Sequence, residues 1–153
     1  MPDVLPLVAL GAMSLVAAGY DLATRRIPNW LNLAILFAGA AMLFALPTWS
    51  AALMHLAHFA IALIAAMALF GMRVWGGGDA KFYAAVAIWL PLSEAHLLAL
   101  GTALSGAVLV VLIFAWAMIR QTKGWAKNLP YGVAIAAGTF AAVLIGKGGS
   151  LLV

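Results

Sequence analysis

Between Ala95 and Ile119 the chain carries no Lys, Arg, Asp or Glu, and between Ala51 and Met72 it carries none either. A helix needs about 20 apolar residues to cross a bilayer, with about 17–25 tolerated. Reading for such runs predicts about six spans: Val4–Tyr20, Leu31–Leu46, Ala51–Met72, Ala80–Leu92, Ala95–Ile119 and Val133–Val153. The fourth is short; it lies between a glycine run and Pro91 and has to begin near Gly78 to come close to spanning. The last contains Lys147 and Gly148-Gly149, so its final turns are expected to leave the bilayer. With 67% of its 153 residues hydrophobic and 8% charged, the chain lies far from soluble domains, of which about 25% is charged. The expected fold is all-α, a polytopic membrane protein forming one domain over residues 1–153, with membrane lipid as its surroundings.

The few charges set the orientation. Arg25 and Arg26 fall between the first two spans, Arg73 precedes the fourth and Lys81 sits in its first turn, and Arg120, Lys123 and Lys127 separate the fifth from the sixth. These alternate connections share one side, which the positive-inside rule makes cytoplasmic. The connections around Pro47–Ser50 and Leu92–Ala95 carry no Lys or Arg. Six spans then leave both termini outside. The net charge of +4 is accounted for by this placement, and no nucleic-acid partner is expected. Met1-Pro2-Asp3 lacks the basic start of a signal peptide, so the first span is expected to remain in the mature protein. The absence of Cys removes disulfides, Cys-ligated zinc and thiol nucleophiles.

Against this apolar background stand four acidic residues, two of which, Asp21 and Asp79, fall on the side of the basic connections. Asp21 follows the first span and Asp79 opens the fourth, so the topology delivers both to the same membrane face. Ionisable groups within membrane segments are functional candidates by default. Asp79 closes the run Gly76-Gly77-Gly78-Asp79. Three glycines weaken a helix by about 1 kcal/mol each relative to Ala and suit a loop whose backbone approaches another backbone closely. A side-chain-free strip of this kind allows an extended peptide to lie against a carboxylate. Around Asp21 the chain reads Asp21-Leu22-Ala23-Thr24-Arg25-Arg26-Ile27-Pro28-Asn29-Trp30-Leu31. Pro28 suits the first turn of a helix and Asn29 is placed to cap it or to hydrogen-bond there.

An acid followed by a basic stretch and Ile27-Pro28-Asn29, then a Gly-x-Gly-Asp at Gly76–Asp79 with Lys81 behind it, resembles the type IV prepilin peptidase family, membrane aspartic proteases of the GxGD type. The stretch Pro130-Tyr131-Gly132-Val133-Ala134-Ile135-Ala136-Ala137-Gly138 is similar to the signature of that family's last helix, in the form of its short members serving tight-adherence (Flp) pili. The resemblance implies Asp21 and Asp79 as the catalytic pair and Gly76, Gly77 and Gly78 as the motif glycines. It further implies substrate-side or loop roles for Lys81, Pro28, Asn29, Pro130, Tyr131 and Gly132. The implied substrates are prepilins or pseudopilins with a basic leader joined to a hydrophobic helix, cut at the cytoplasmic face of a bacterial inner membrane. No cofactor and no metal is implied. The chain lacks the cytoplasmic insertion with paired cysteines found in larger members, so N-methyltransferase activity is not assigned. The sequence leaves the oligomeric state open.

Two close carboxyls titrate as a unit. Asp79 at a helix N-terminus is expected to favour the ionised form and Asp21 at a helix C-terminus the protonated one, which makes Asp79 the base. Lys81 tunes the pair, meets acidic substrate residues, or simply extends to the interface. His55 and His58, three apart, are expected to serve a packing or interfacial role rather than metal binding, and the six Trp to anchor at the interface, with Trp75 positioning the glycine run. The reading of a different class is a small proton- or cation-coupled transporter or channel subunit using the same two acids, with the glycines as a helix break. The placement of both acids at one face, and the Ile-Pro-Asn and Pro-Tyr-Gly stretches, weigh against it.

Overall fold

The computed structural model describes residues 4–121 and 129–148. Met1-Pro2-Asp3, Lys123, Lys127, residues 149–153 and the side chain of Lys147, on which parts of the expected orientation and of the last span rest, lie outside the described residues. The elements are α1 (Val4–Thr24), α2 (Asn29–Leu43), α3 (Trp49–Gly71), α4 (Gly77–Ala87), a 3-10 turn (Leu92–Glu94), α5 (Ala95–Arg120) and α6 (Tyr131–Gly148), with no strand among the described residues. Among the described residues three stretches are long and apolar enough to cross a membrane, Leu5–Thr24, Trp49–Gly71 and Leu92–Arg120, and two apolar helices are shorter, Asn29–Leu43 and Tyr131–Gly146. Phe37, Ile64, Val111 and Leu144 face outward, fully in keeping with lipid surroundings. The chain is an all-α polytopic membrane protein.

Helix α4 is the centre on which the others depend. Helices α2, α3 and α6 pack against it, while α1 and α5 pack on α6. Its side chains Phe82 and Val86 are fully buried, as are Leu10 of α1, Ile35 of α2, Leu98 of α5 and Ile135 of α6. Helix α5 crosses α6 where Gly101 meets Gly138: a Cβ on Gly101 would stand 3.0 Å from the Gly138 Cα, and one on Gly138 would collide with Thr102. Small residues let backbones approach this closely in membrane bundles. Gly138, part of the Pro130–Gly138 stretch, therefore serves helix packing.

At 11 residues, α4 is about 16 Å long, against about 30 Å of hydrocarbon. It begins at Gly77, close to where a spanning segment has to begin, yet it stops at Ala87 and passes through tight turns to Pro91. Carbonyls freed by such a stop find no water in an apolar layer. Two are taken by α3: His55 Nδ1 donates to the Ile88 carbonyl at 2.9 Å, and His58 Nδ1 donates to the Leu90 carbonyl at 3.0 Å. Both imidazoles are buried. The packing role expected for the two histidines thus takes a definite form, since they pin the end of a broken helix. Trp89 corrects the expectation that the tryptophans sit at the interface. It is buried, and its indole N–H donates to the Ile35 carbonyl at 3.0 Å. Trp30, Trp49 and Trp116 are exposed, as expected.

Among the described residues three non-glycines adopt positive φ: Arg25 (55°) after α1, Arg73 (59°) after α3 and Gln121 (50°) after α5. Each stands where a helix running toward the same end of the bundle stops. Between α1 and α2 the backbone is then extended to Pro28, which is the N-cap of α2 rather than a residue of its first turn. The Pro28 carbonyl accepts from the Leu31 and Asn32 N–H groups, and Asn29 does not cap the helix as the sequence suggests.

Replacing His58 by Leu keeps the bulk and removes the donor, leaving the Leu90 carbonyl unpaired. A loss of about 1–3 kcal/mol in stability is expected, read as a lowered unfolding temperature in detergent, with Ile64→Leu on the outward face of the same helix close to neutral.

Candidate active site

Asp21 and Asp79 come from different helices and line one pocket of about 260 Å³, together with Arg25, Arg26, Ile27, Asn29 and the three glycines Gly76, Gly77 and Gly78. The topology reasoned from spans, with both acids at one end of the bundle, is the arrangement found. Asp21 lies in the last turn of α1, the helix C-terminus at which the sequence places it, with only 4% of its surface exposed; α1 continues to Thr24 before the left-handed Arg25 ends it.

The glycine run is the start of α4 rather than a loop. Gly76 is the N-cap, Gly77 and Gly78 fall in the first turn, and the Asp79 carboxylate folds back to accept the Gly76 N–H at 3.1 Å. A carboxylate at this position satisfies a donor that the helix leaves unpaired and faces the positive end of its dipole. The close backbone approach expected of the glycines occurs at Gly78, where a Cβ would stand 3.4 Å from both the N and the O of Ile27. Asn32 holds the same point from the side, its Nδ2 donating to the Gly78 carbonyl at 3.2 Å.

Asp21 is held from the far end of the sequence. Its Oδ2 accepts the N–H of Gly132, in the first turn of α6, at 2.7 Å. A Cβ on Gly132 would stand 2.9 Å from that oxygen and 2.9 Å from Ile27 Cδ1. Only glycine presents its N–H to the carboxylate at this distance without displacing it. Pro130, fully buried, leads into the helix, and its carbonyl accepts the Val133 N–H. Tyr131 sits beside Trp75 with ring centroids 6.4 Å apart, and Trp75 in turn packs edge-on against Tyr83 at 5.2 Å. This aromatic group braces the segment just before the glycines, the position expected of Trp75.

The α6 contact changes the electrostatic reading of the pair. The expectation that Asp21 is the protonated member rests on its place near the C-terminus of α1. The structure brings the N-terminus of α6 onto the same carboxylate. Each acid therefore accepts a backbone N–H at a helix start, and helix dipoles no longer separate them.

Lys81 and Asn29 find each other, Lys81 Nζ donating to Asn29 Oδ1 at 2.9 Å. Pro28, Lys81, Pro130 and Tyr131 stand around the pocket without lining it. Arg25, Arg26, Ile27 and Asn32 are the contributors that sequence reasoning missed. The arginines were accounted for as orientation signals, and nothing in the pattern marks Asn32, a polar residue one turn into an apolar helix, except its polarity. No group of three or more His, Asp or Glu placed to hold a metal occurs among the described residues.

A bundle of apolar helices that gathers two carboxylates into one polar pocket has the makings of a hydrolytic membrane enzyme. The chain belongs to the type IV leader peptidase family, whose model matches residues 8–111, more than half of its length. The match includes Asp21 and Gly76–Asp79, whereas Pro130–Gly132 lies beyond it. No curated protein and no solved structure matches the chain. Membership makes the protein a protease of the membrane, with prepilins as its general class of substrate.

Gly132→Ala is expected to destabilise the protein by about 1–3 kcal/mol through overpacking against Asp21 and Ile27, measured by thermal unfolding in detergent. Adding Ile27→Val removes one of the two colliding groups and should recover part of that loss.

Proposed function

We propose that the protein is an aspartic endopeptidase that removes the leader of Flp-type prepilins or pseudopilins, with Asp21 and Asp79 as its catalytic pair. The observation that carries this reading is the meeting of two acids from separate helices in one pocket, beside a side-chain-free strip at Gly76–Gly78. Within a single domain over residues 1–153, the active site lies at the cytoplasmic face of the bacterial inner membrane and both termini lie outside. Arg25, Arg26 and Arg73 at the pocket's end of the bundle support that orientation.

Hydrolysis proceeds with one carboxyl ionised and the other protonated, because like charges placed together cannot both ionise easily. The ionised carboxylate takes a proton from water as the water oxygen adds to the scissile carbonyl carbon. The protonated carboxyl gives its proton to the carbonyl oxygen. As the tetrahedral carbon collapses, one of its two hydroxyls returns a proton to the carboxylate that had protonated the carbonyl oxygen, the C–N bond breaks, and the leaving nitrogen takes a proton from the acid that received one from water, which restores both carboxyls. A new C-terminus and a new amine are released, with no cofactor. Gly76–Gly78 leave room for the extended substrate backbone, and the Gly132 N–H fixes the carboxylate of Asp21 during these transfers. The basic leader meets the polar pocket, and the hydrophobic helix of the substrate stays in the bilayer.

The test is cleavage of a Flp-type prepilin by the intact protein in membranes, beside Asp21→Asn and Asp79→Asn. Each substitution keeps the shape of the side chain and removes its acid–base function. Both are expected to reduce cleavage by about 10³-fold or more while the protein still inserts and accumulates. Retained cleavage in either variant would assign the chemistry elsewhere.

A further inference from the structure

Helix α3 rests on α4 and on the turn at Leu92–Glu94, and makes no substantial contact with α2 on one side or α5 on the other. Each side keeps an apolar groove floored by α4. The groove between α2 and α3 has a volume of about 470 Å³ and that between α3 and α5 about 450 Å³.

The two grooves differ in how they meet the acids. The α2/α3 groove begins at Asn29, Asn32 and Lys81 and continues along Leu36, Phe59 and Leu63. Asn29 also lines the pocket of Asp21 and Asp79, so groove and pocket form one continuous surface, polar at the acids and apolar beyond. The α3/α5 groove ends against Trp75 and Tyr131 and shares no lining residue with that pocket. Its one buried hydroxyl without a partner, on Thr102, is turned onto Gly138 of α6.

Asn32 supplies the second observation. It is 4% exposed, and its Nδ2 is spent on the Gly78 carbonyl, which fixes the orientation of the amide. Its Oδ1 is buried and has no partner. An unpaired buried acceptor is costly to keep. A helix starting in an apolar layer brings the complementary deficit, since its first four N–H groups have no partner within the helix.

Resting on the peptidase reading above, we propose that the α2/α3 groove seats the first turns of the substrate's hydrophobic helix, immediately beyond the scissile bond, and that seating shifts Asn32 so that its Oδ1, sealed from the groove as it stands, accepts one of the helix's unpaired N–H groups. The order of surfaces matches the order of such a substrate, a polar leader followed at once by an apolar segment. The groove opens sideways between two helices, so a substrate already in the membrane reaches it without leaving the bilayer.

The experiment uses the full chain in membranes with a prepilin that the intact protein cuts. A photo-crosslinking benzoyl-phenylalanine is placed at Leu36 or Leu63 in one groove and at Ala103 or Ala107 in the other, in the Asp79→Asn background so that substrate is not consumed. Adducts to the start of the prepilin's apolar segment are expected from Leu36 and Leu63 and not from Ala103 or Ala107. Filling the groove with Leu63→Trp should slow prepilin cleavage by about tenfold, whereas Ala103→Trp leaves it unchanged. Prepilin adducts from Ala103 or Ala107 alone would overturn the assignment, as would adducts from Leu36 and Leu63 only to lipid or to a second copy of the chain. Failure of the intact protein to cut any prepilin would instead overturn the peptidase reading itself, so the two failures are told apart before any crosslink is read.

Discussion

A helix that stops inside an apolar layer must hand its unpaired carbonyls to something, and the rest of this structure is arranged around that requirement. Helix α4 ends at Ala87, and the carbonyls of Ile88 and Leu90 are taken by His55 and His58. This fixes α3 against α4 by polar bonds at one end and by packing along its length. Because α3 is secured by α4, it does not need α2 or α5, and the grooves on either side follow from that independence. The shortness of α4 also brings its N-terminus, and with it Asp79, to a place among the other helices where a second acid can meet it.

The two acids are treated alike by the fold although they arise differently. Asp79 folds back onto the N-cap of its own helix, a contact three residues long. Asp21 is received by a helix more than a hundred residues later in the chain, through a bond to Gly132 that requires a residue without a side chain. A buried carboxylate without a donor would be costly. In both cases a backbone N–H supplies the donor.

Much of this was legible in the sequence because it depends on composition and on short spacing. Apolar runs set the helices, the basic residues of alternate connections grouped both acids at one end, and the glycines before Asp79 announced a close backbone approach, realised at Gly78 and Ile27. What was not legible depends on contacts between distant elements. The pairing of Gly132 with Asp21 is invisible in either segment alone, so the dipole argument that ranked the two acids counted only one of the two helices that reach Asp21. The three-residue spacing of His55 and His58 showed a shared face but not the carbonyls it would meet. Trp89 read as an interfacial anchor because its indole looks amphipathic, whereas its N–H is spent inside the bundle on Ile35. Of the two roles open to Asn29, capping and hydrogen bonding, the structure shows the second, and the partner, Lys81 from another helix, could not be read from the local sequence.

The left-handed residues that end α1, α3 and α5 carry a compromise. At each of these positions glycine would be at ease, and a residue with a Cβ costs about 1 kcal/mol or more. Two of the three are arginines. At these two sites one residue both ends a helix and carries a positive charge, and the backbone strain is the cost of combining the two. Substituting glycine for either arginine would ease the backbone while removing a positive charge from the end of the bundle where the two acids meet.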